Sequence, residues 1–170
     1  MQKNMLGISC AILLLSGCGD KTSVAPPPPA QTENTQAEDA ADIWAKELAI
    51  FEGRGQGDIT NYINSASDHY LGWPPVLPEP TTLDTLKATA DRAVALSGEV
   101  SNLTQKGFTR HGGTALMYFL NHRTRLGDGM AAEGERDVNQ YYENVHVWNK
   151  ENGEWKLIGG FARTIDKPRD

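Results

Sequence analysis

Polar and aromatic residues that could do chemistry alternate along two segments in the second half of the sequence. Asn144, His146 and Trp148 lie two residues apart, so in an extended strand they share one face. Tyr118 and His122 likewise share one face of an earlier segment. If these segments pair, His122 lies near His146, and either imidazole could act as a general base beside Asn144 as an oxyanion donor. This pattern fits a lyase or hydrolase.

Other motifs point to less specific roles. No third ligand joins the two histidines at a metal-binding spacing, so we predict no metal and no other cofactor. Residues 53–57 resemble a phosphate-binding loop, but a helix rather than a strand precedes them. Arg123 and Arg125 alternate with His122, on a face that we expect to be solvated and outward. Arg163 is a candidate contact for an anionic ligand at a cavity mouth.

Apolar residues at helical spacing predict three helices before these strands. The first covers residues 40–52 and has the apolar stripe Ile43, Trp44, Leu48 and Phe51. Asp58 is placed to cap a short second helix. The third helix begins at Thr81 or Thr82 and stops near Gly98.

Strand-like patterns occupy the rest of the chain. A short strand is predicted over residues 69–73, and four longer ones over 99–110, 114–126, 136–149 and 155–164. Glycine-containing breaks separate the longer strands, and Asn152-Gly153 is a hairpin signal. Helices followed by a long antiparallel meander predict an α+β fold with three helices packed on the concave face of a curved sheet. Such a layer leaves a concave mouth where a pocket can form.

The first 38 residues have the pattern of an exported and lipidated chain. Residues 5–15 are apolar but too few to span a bilayer, as in a signal peptide. Ser16 and Gly17 before Cys18 resemble the lipobox of bacterial lipoproteins, in which the cysteine is acylated and becomes the mature N-terminus. An ordinary secretory signal with an incidental cysteine is the alternative. We therefore predict a signal peptide over residues 1–17 and a proline-rich tether over 18–38.

Residues 39–170 are then a single domain on a lipid anchor in the cell envelope, facing the periplasm or exposed at the surface. The second cysteine of the chain, Cys10, leaves with the signal peptide, so no disulfide is expected. The net charge of −6 argues against nucleic acid as a partner. Whether the anchor lies in the inner or the outer membrane stays open.

Short motifs across this domain resemble those of one superfamily. They are Phe51-Glu52, Gly57-Asp58, the run from Asp68 to Pro74, Val147-Trp148-Asn149-Lys150, and the run from Gly153 to Ile158. In order and spacing the domain resembles the NTF2-like superfamily, and within it the SnoaL-like and ketosteroid-isomerase-like proteins. The resemblance implies a cone-shaped sheet around a cavity, frequently dimeric through the outer sheet face. Such domains include isomerases, dehydratases and binding subunits, so fold does not settle function.

The residues of ketosteroid isomerase chemistry do not carry over. That chemistry needs a carboxylate base, a tyrosine and a protonated aspartic acid. Trp73 stands at the position of the base, Ile50 at that of the tyrosine, and Asn144 at that of the aspartic acid. Isomerase activity is therefore not expected.

Non-catalytic binding is accordingly the preferred function. The ligand would be a small, partly apolar molecule or a protein partner, held in a cavity lined by Trp73, Leu116, Tyr118, Asn144, His146 and Trp148. Two alternatives stay open: an enzyme with His122 or His146 as base, and a module that forms a homodimer through its sheet.

Overall fold

The computed structural model describes residues 33–75, 77–125 and 138–168. Its helices are α1 (Glu33–Gly55), α2 (Thr60–Ser65) and α3 (Leu83–Ala88), followed by a 3-10 helix (Ala90–Leu96). Its strands are β1 (Ala66–Trp73), β2 (Thr81–Thr82), β3 (Val100–His111), β4 (Thr114–Arg125), β5 (Val138–Glu151) and β6 (Glu154–Ile165). The predicted signal peptide, Cys18 and most of the predicted tether lie outside the described residues.

Helix α1 begins earlier than the periodicity predicts. It starts at Glu33, so the last residues of the predicted tether are helical rather than extended, and the ordered domain begins before residue 39. None of the helices in the described part of the chain is both long enough and apolar enough to cross a membrane.

Local side-chain hydrogen bonds explain where the shorter elements begin. The Asp58 carboxylate accepts the backbone N–H of Thr60 at 2.7 Å, as predicted for the start of α2. The Thr82 hydroxyl accepts the N–H of Thr85 at the start of α3. Asn152 and Gly153 have φ angles of 51° and 88°, the left-handed pair that a two-residue hairpin turn requires.

The six strands form one sheet in the order β2-β1-β6-β5-β4-β3. Strands β3 to β6 pair antiparallel in sequence order, which confirms the predicted meander. The prediction of a wholly antiparallel sheet is wrong at one place, because β1 pairs with β6 in parallel. The long connection from β1 through α3 and β3–β5 allows this direction, which a tight hairpin does not.

The sheet curves around α1, and side chains alternate between its concave and outer faces. On β4 the concave face carries Ala115, Met117 and Phe119, all fully buried. Helix α1 lies against this face with Ile43 and Phe51. The core therefore lies between α1 and the sheet, as expected for an α+β layer.

A buried carboxylate fixes the first half of α1 to the sheet. Asp39 accepts hydrogen bonds from Trp155 Nε1 at 2.7 Å and Lys150 Nζ at 3.1 Å, and it pairs with Arg110. These contacts join α1 to β3, β5 and β6. They explain why the ordered helix extends beyond its apolar stripe.

Candidate functional site

A cavity of about 590 Å³ lies between the helices and the concave face of the sheet. This volume falls within the range of small-molecule sites. Ile50 on α1, Leu86 on α3 and Phe161 on β6 supply apolar wall, and Trp73 lines the cavity while 52% exposed. A half-exposed wall residue places Trp73 at the opening.

A buried carboxylate–imidazole pair lies at the inner wall of this cavity. Glu47 on α1 is 0% exposed, and its oxygens lie 2.8 and 2.9 Å from His146 Nδ1. The same carboxylate accepts Trp148 Nε1–H at 2.9 Å. His146 itself lines the cavity. Because Nδ1 is held by Glu47, Nε2 is the nitrogen that remains for a ligand, and in the neutral ring it is an acceptor.

Two neighbours fix the position of the His146 ring. Phe119 packs edge-on against it with ring centroids 5.2 Å apart. Gly160 lies opposite His146 on β6, and a Cβ at Gly160 would come within 2.7 Å of His146 Cδ2. The absence of a side chain at position 160 therefore leaves room for the imidazole.

The three positions compared with the isomerases all line this cavity. Ile50, Trp73 and Asn144 are wall residues, and none of them is a proton acceptor. Asn144 is buried, and its amide nitrogen donates to the backbone oxygen of Tyr142 at 3.3 Å. The described lining residues do include one imidazole, that of His146, which Glu47 holds.

Two tyrosines give the cavity a second polar group. The hydroxyls of Tyr62 on α2 and Tyr70 on β1 lie 2.5 Å apart, and both residues line the cavity. Burial raises the pKa of Tyr62 well above 10.0, and the neighbouring Tyr70 raises it further. Burial also raises the pKa of Tyr70. Both side chains are therefore neutral O–H groups at neutral pH.

The tyrosine pair predicts a loss of stability at high pH. Above pH 10 the unfolded chain releases phenolic protons that the folded chain retains, so folding weakens as pH rises through this range. The cost is about 1 kcal/mol per tyrosine near pH 10.5–11. Urea unfolding at pH 8 and pH 10.7 should show this loss reduced in Tyr62→Phe. Tyr118→Phe, on the exposed outer face, is the control, and equal losses in all three proteins would contradict the prediction.

Two arginines line another part of the cavity, and one glutamate contacts both of them from outside the lining. Arg54 Nε is 3.7 Å from Glu99 Oε2, and Arg123 Nε is 3.6 Å from Glu99 Oε1. The Arg123 guanidinium also lies over the ring of Tyr142, 5.4 Å from its centroid. Burial lowers the pKa of Arg54, and Glu99 opposes that change. Arginine keeps its charge at neutral pH even so.

Part of the predicted ligand site lies on the other side of the sheet. Leu116, Tyr118 and His122 alternate with the buried residues of β4 and lie on the outer face. His122 hydrogen-bonds Asn139 at 2.9 Å and stacks on Tyr141, so the predicted closeness to His146 is wrong. The outer face is where a homodimer was predicted, and that stays a prediction.

Trp148 is on the concave side, as the alternation predicts, but it is 0% exposed and belongs to the core. Among the predicted binding residues, the structure therefore brings Trp73, Asn144 and His146 to the cavity. It does not bring Leu116, Tyr118 or Trp148 there.

The arginines were also assigned to the wrong faces. Arg123 points to the cavity and not to solvent, with its side chain 17% exposed. Arg125, on the same side of β4, donates to the Ala95 backbone oxygen at 2.7 Å. Arg163 is exposed and pairs with Glu143 rather than standing at the cavity mouth.

Glu47, which holds His146 at the cavity wall, was not predicted from the sequence. It follows Ile43 by four residues and precedes Ile50 by three, so it occupies the helix stripe that faces the core. A carboxylate in such a stripe is a signal for a buried partner.

Within the described residues, no cluster of three or more His, Cys, Asp or Glu side chains could hold a metal ion.

Solved structures with the same architecture are similar to this chain. An NTF2-like protein of unknown function from Pseudomonas putida KT2440 is 14% identical, with a TM-score of 0.60 over 79% of this chain and 89% of that chain. A putative dehydratase of the NTF2-like family from Streptomyces avermitilis is 16% identical, with a TM-score of 0.65 over 76% and 98%. The CamKII hub homology domain of Chlamydomonas reinhardtii is 12% identical, with a TM-score of 0.60 over 75% and 99%.

No protein-family model and no curated protein matches the sequence. The structural similarity nevertheless defines the class of the domain: the chain has the NTF2-like fold, as its motifs predicted. This fold is shared by proteins as different as a putative dehydratase and a hub domain. It therefore leaves the function to the side chains of the cavity.

Proposed function

We propose that the domain binds a small, partly apolar molecule in the cavity, with His146 as one of its polar contacts. The observation that carries this proposal is the Glu47–His146 pair at the wall of an otherwise mostly apolar cavity of about 590 Å³. Burying a polar group is costly unless it is hydrogen-bonded, and the Glu47 carboxylate meets this condition through His146 and Trp148. Here the carboxylate orients a ring whose free nitrogen is left for a ligand.

Quenching of tryptophan fluorescence tests the proposal. The neutral nitroaromatic 4′-nitrobiphenyl-4-carboxamide should quench the fluorescence saturably, with one site per chain. Because Trp73 lines the cavity, we expect most of the quenching to be lost in Trp73→Phe. Trp44→Phe, which removes a tryptophan packed on Phe119, is the control and should keep it.

A substitution that fills the cavity with a larger side chain provides a second test. Ala162 lines the cavity, so Ala162→Phe should reduce binding of the carboxamide at least about tenfold by occupying the space. Ala45→Phe, on the exposed side of α1, should leave binding unchanged. Unaltered quenching in Trp73→Phe together with unaltered binding in Ala162→Phe would show that the probe binds elsewhere and would contradict the proposal.

Acid–base catalysis by the same residues is the second candidate. It is favoured by the contact between Glu47 and His146 Nδ1, which leaves Nε2 to accept a proton from a substrate. An elimination or a hydrolysis would use this group, with Asn144 or the tyrosine pair near the developing charge. Any turnover should disappear in His146→Gln and persist in His122→Gln, because His122 lies on the outer face.

We propose further that a lipid on Cys18 holds this domain at a membrane of the cell envelope. The proposal is supported by the apolar leader and by the small residues before the cysteine. The polar, proline-rich segment that follows would set the distance between the domain and the membrane. The cavity would then receive ligands close to a bilayer surface.

A further inference from the structure

Positive charge is concentrated on the wall of the cavity. Arg54, Arg92 and Arg123 line it, and no aspartate or glutamate is among the described residues that do so. Arg92 is exposed, so solvent screens its charge and the buried charge comes from Arg54 and Arg123. Glu99 contacts both Arg54 and Arg123 from outside the lining. One carboxylate shared by two guanidinium groups leaves one positive charge without a counter-charge from this cluster.

The cluster also leaves hydrogen-bonding groups without partners. The Nε atoms of Arg54 and Arg123 are buried and have no hydrogen-bond partner among the described residues. Their distances to Glu99, 3.7 and 3.6 Å, are too long for good hydrogen bonds. Two buried acceptors of the cluster are unpaired as well, Glu99 Oε2 and the amide oxygen of Asn121, which lines the cavity on the same strand face as Arg123. Buried polar groups that lack partners are rare in native proteins, so the two unpaired arginine N–H donors point to a ligand that accepts hydrogen bonds.

We infer that the cavity binds a small amphiphilic monocarboxylate, with its carboxylate between Arg54 and Arg123 and its apolar body towards Ile50, Leu86 and Trp73. This inference rests on the proposed binding function and names the class of ligand. A carboxylate is planar and offers two acceptors, which suits a guanidinium group. It also brings one negative charge, which balances the charge that Glu99 leaves over. A phosphate monoester would bring nearly two.

The charge of this cavity is opposite in sign to the net charge of the protein. The chain as a whole carries −6, so its average surface repels anions. A cationic cavity in such a protein has to be produced locally by the two arginines. The selectivity should therefore depend on these residues and not on the overall charge.

A matched pair of probes tests the inference on the unaltered protein. The neutral 4′-nitrobiphenyl-4-carboxamide and the anionic 4′-nitrobiphenyl-4-carboxylate have nearly the same shape and differ by one charge. We expect the carboxylate to bind at least about tenfold more tightly in fluorescence and calorimetric titrations at neutral pH. Equal affinities would overturn the inference and leave the proposed function standing. Binding of neither probe would overturn the proposed function itself.

Variants that each remove one positive charge then show which residue causes the preference for the carboxylate over the carboxamide. Arg123→Gln should bring the ratio of the two affinities close to one, mainly by weakening the carboxylate. Arg163→Gln removes the same charge from an exposed outer position and should leave the ratio unchanged. Equal effects of the two variants would show that only overall charge matters and would overturn the inference.

A third variant should strengthen binding, which a purely structural role would not predict. Glu99→Gln removes the carboxylate that competes for Arg54 and Arg123. We expect affinity for the carboxylate probe to rise several-fold, and the probe to raise the thermal midpoint of Glu99→Gln more than that of the wild type. Weaker binding of the carboxylate by a folded Glu99→Gln protein would contradict the inference.

Discussion

Replacement of Glu47 by leucine is expected to lower the free energy of unfolding by about 3–5 kcal/mol. The carboxylate is fully buried and holds both His146 Nδ1 and Trp148 Nε1. Leucine fills the space but accepts no hydrogen bond, so two polar groups of β5 are left buried without a partner. Urea unfolding curves at neutral pH measure the effect, and an unchanged slope would show that the denatured state is comparable.

Two further variants separate hydrogen bonding from burial in this experiment. Glu47→Gln keeps one acceptor oxygen and should cost less, about 1–2 kcal/mol. Glu52→Leu makes the same chemical change at an exposed position of α1 and should stay within about 0.5 kcal/mol of the wild type. A Glu47→Leu protein as stable as the wild type would show that the pair with His146 does not contribute to folding.

Substitution of Cys18 by serine is expected to release the protein from the membrane almost completely. A thioether-linked lipid cannot form on serine, and two or more acyl chains are what makes such attachment durable. Cells fed an alkyne-bearing fatty acid should label the wild type and leave Cys18→Ser unlabelled. On fractionation of the cells, the variant should be found outside the membrane fraction.

Cys10 provides a matched control for this experiment. It lies in the apolar leader and is predicted to be removed with it, so Cys10→Ser should be labelled and retained like the wild type. Labelling that persists in Cys18→Ser, or that disappears in Cys10→Ser, would contradict the proposed anchor. Since Cys18 precedes the described helix, the fold of the domain should not change.

Much of the fold could be predicted from the sequence because each element carries a local signal. The glycine breaks and alternating side chains of residues 99–164 predicted strands β3 to β6 closely. Asn152-Gly153 form the turn that their residue types predicted, and Asp58 accepts the N–H of Thr60 at the start of α2, although the N-cap residue is Ile59. The parallel pairing of β1 could not be obtained in this way, because it depends on a contact between distant parts of the chain.

The cavity was only partly predictable because alternation does not show which face of a strand is inside. On β5 the choice of Asn144 and His146 as inward was correct. On β4 the corresponding choice of His122 was wrong, because Asn121 and Arg123 occupy the concave side. A charged residue beside a cavity contradicts the usual expectation that charges are solvated, so its face could not be deduced from polarity alone.

On helix α1, too, the sequence pattern did not show which side chains face inward. Leu48, which was placed in the apolar stripe, is 45% exposed, whereas the neighbouring Glu47 is fully buried. From hydrophobicity alone, Leu48 would be expected to be buried and Glu47 to be exposed. The reversal is explained by the two N–H groups that β5 presents to α1, and these can be recognised only when the helix and the strand are seen together.

The parallel pair of β1 and β6 has a consequence for how the protein is made. Because β1 adjoins β6 on one side, that neighbour is not made until β3, β4 and β5 have been translated. Contacts of such long sequence separation slow folding, since a large loop must close before they form. A chain that ends before β6 would leave β1 paired only with the two-residue β2 and β5 paired only with β4, so truncation there should give an unfolded polypeptide rather than a smaller domain.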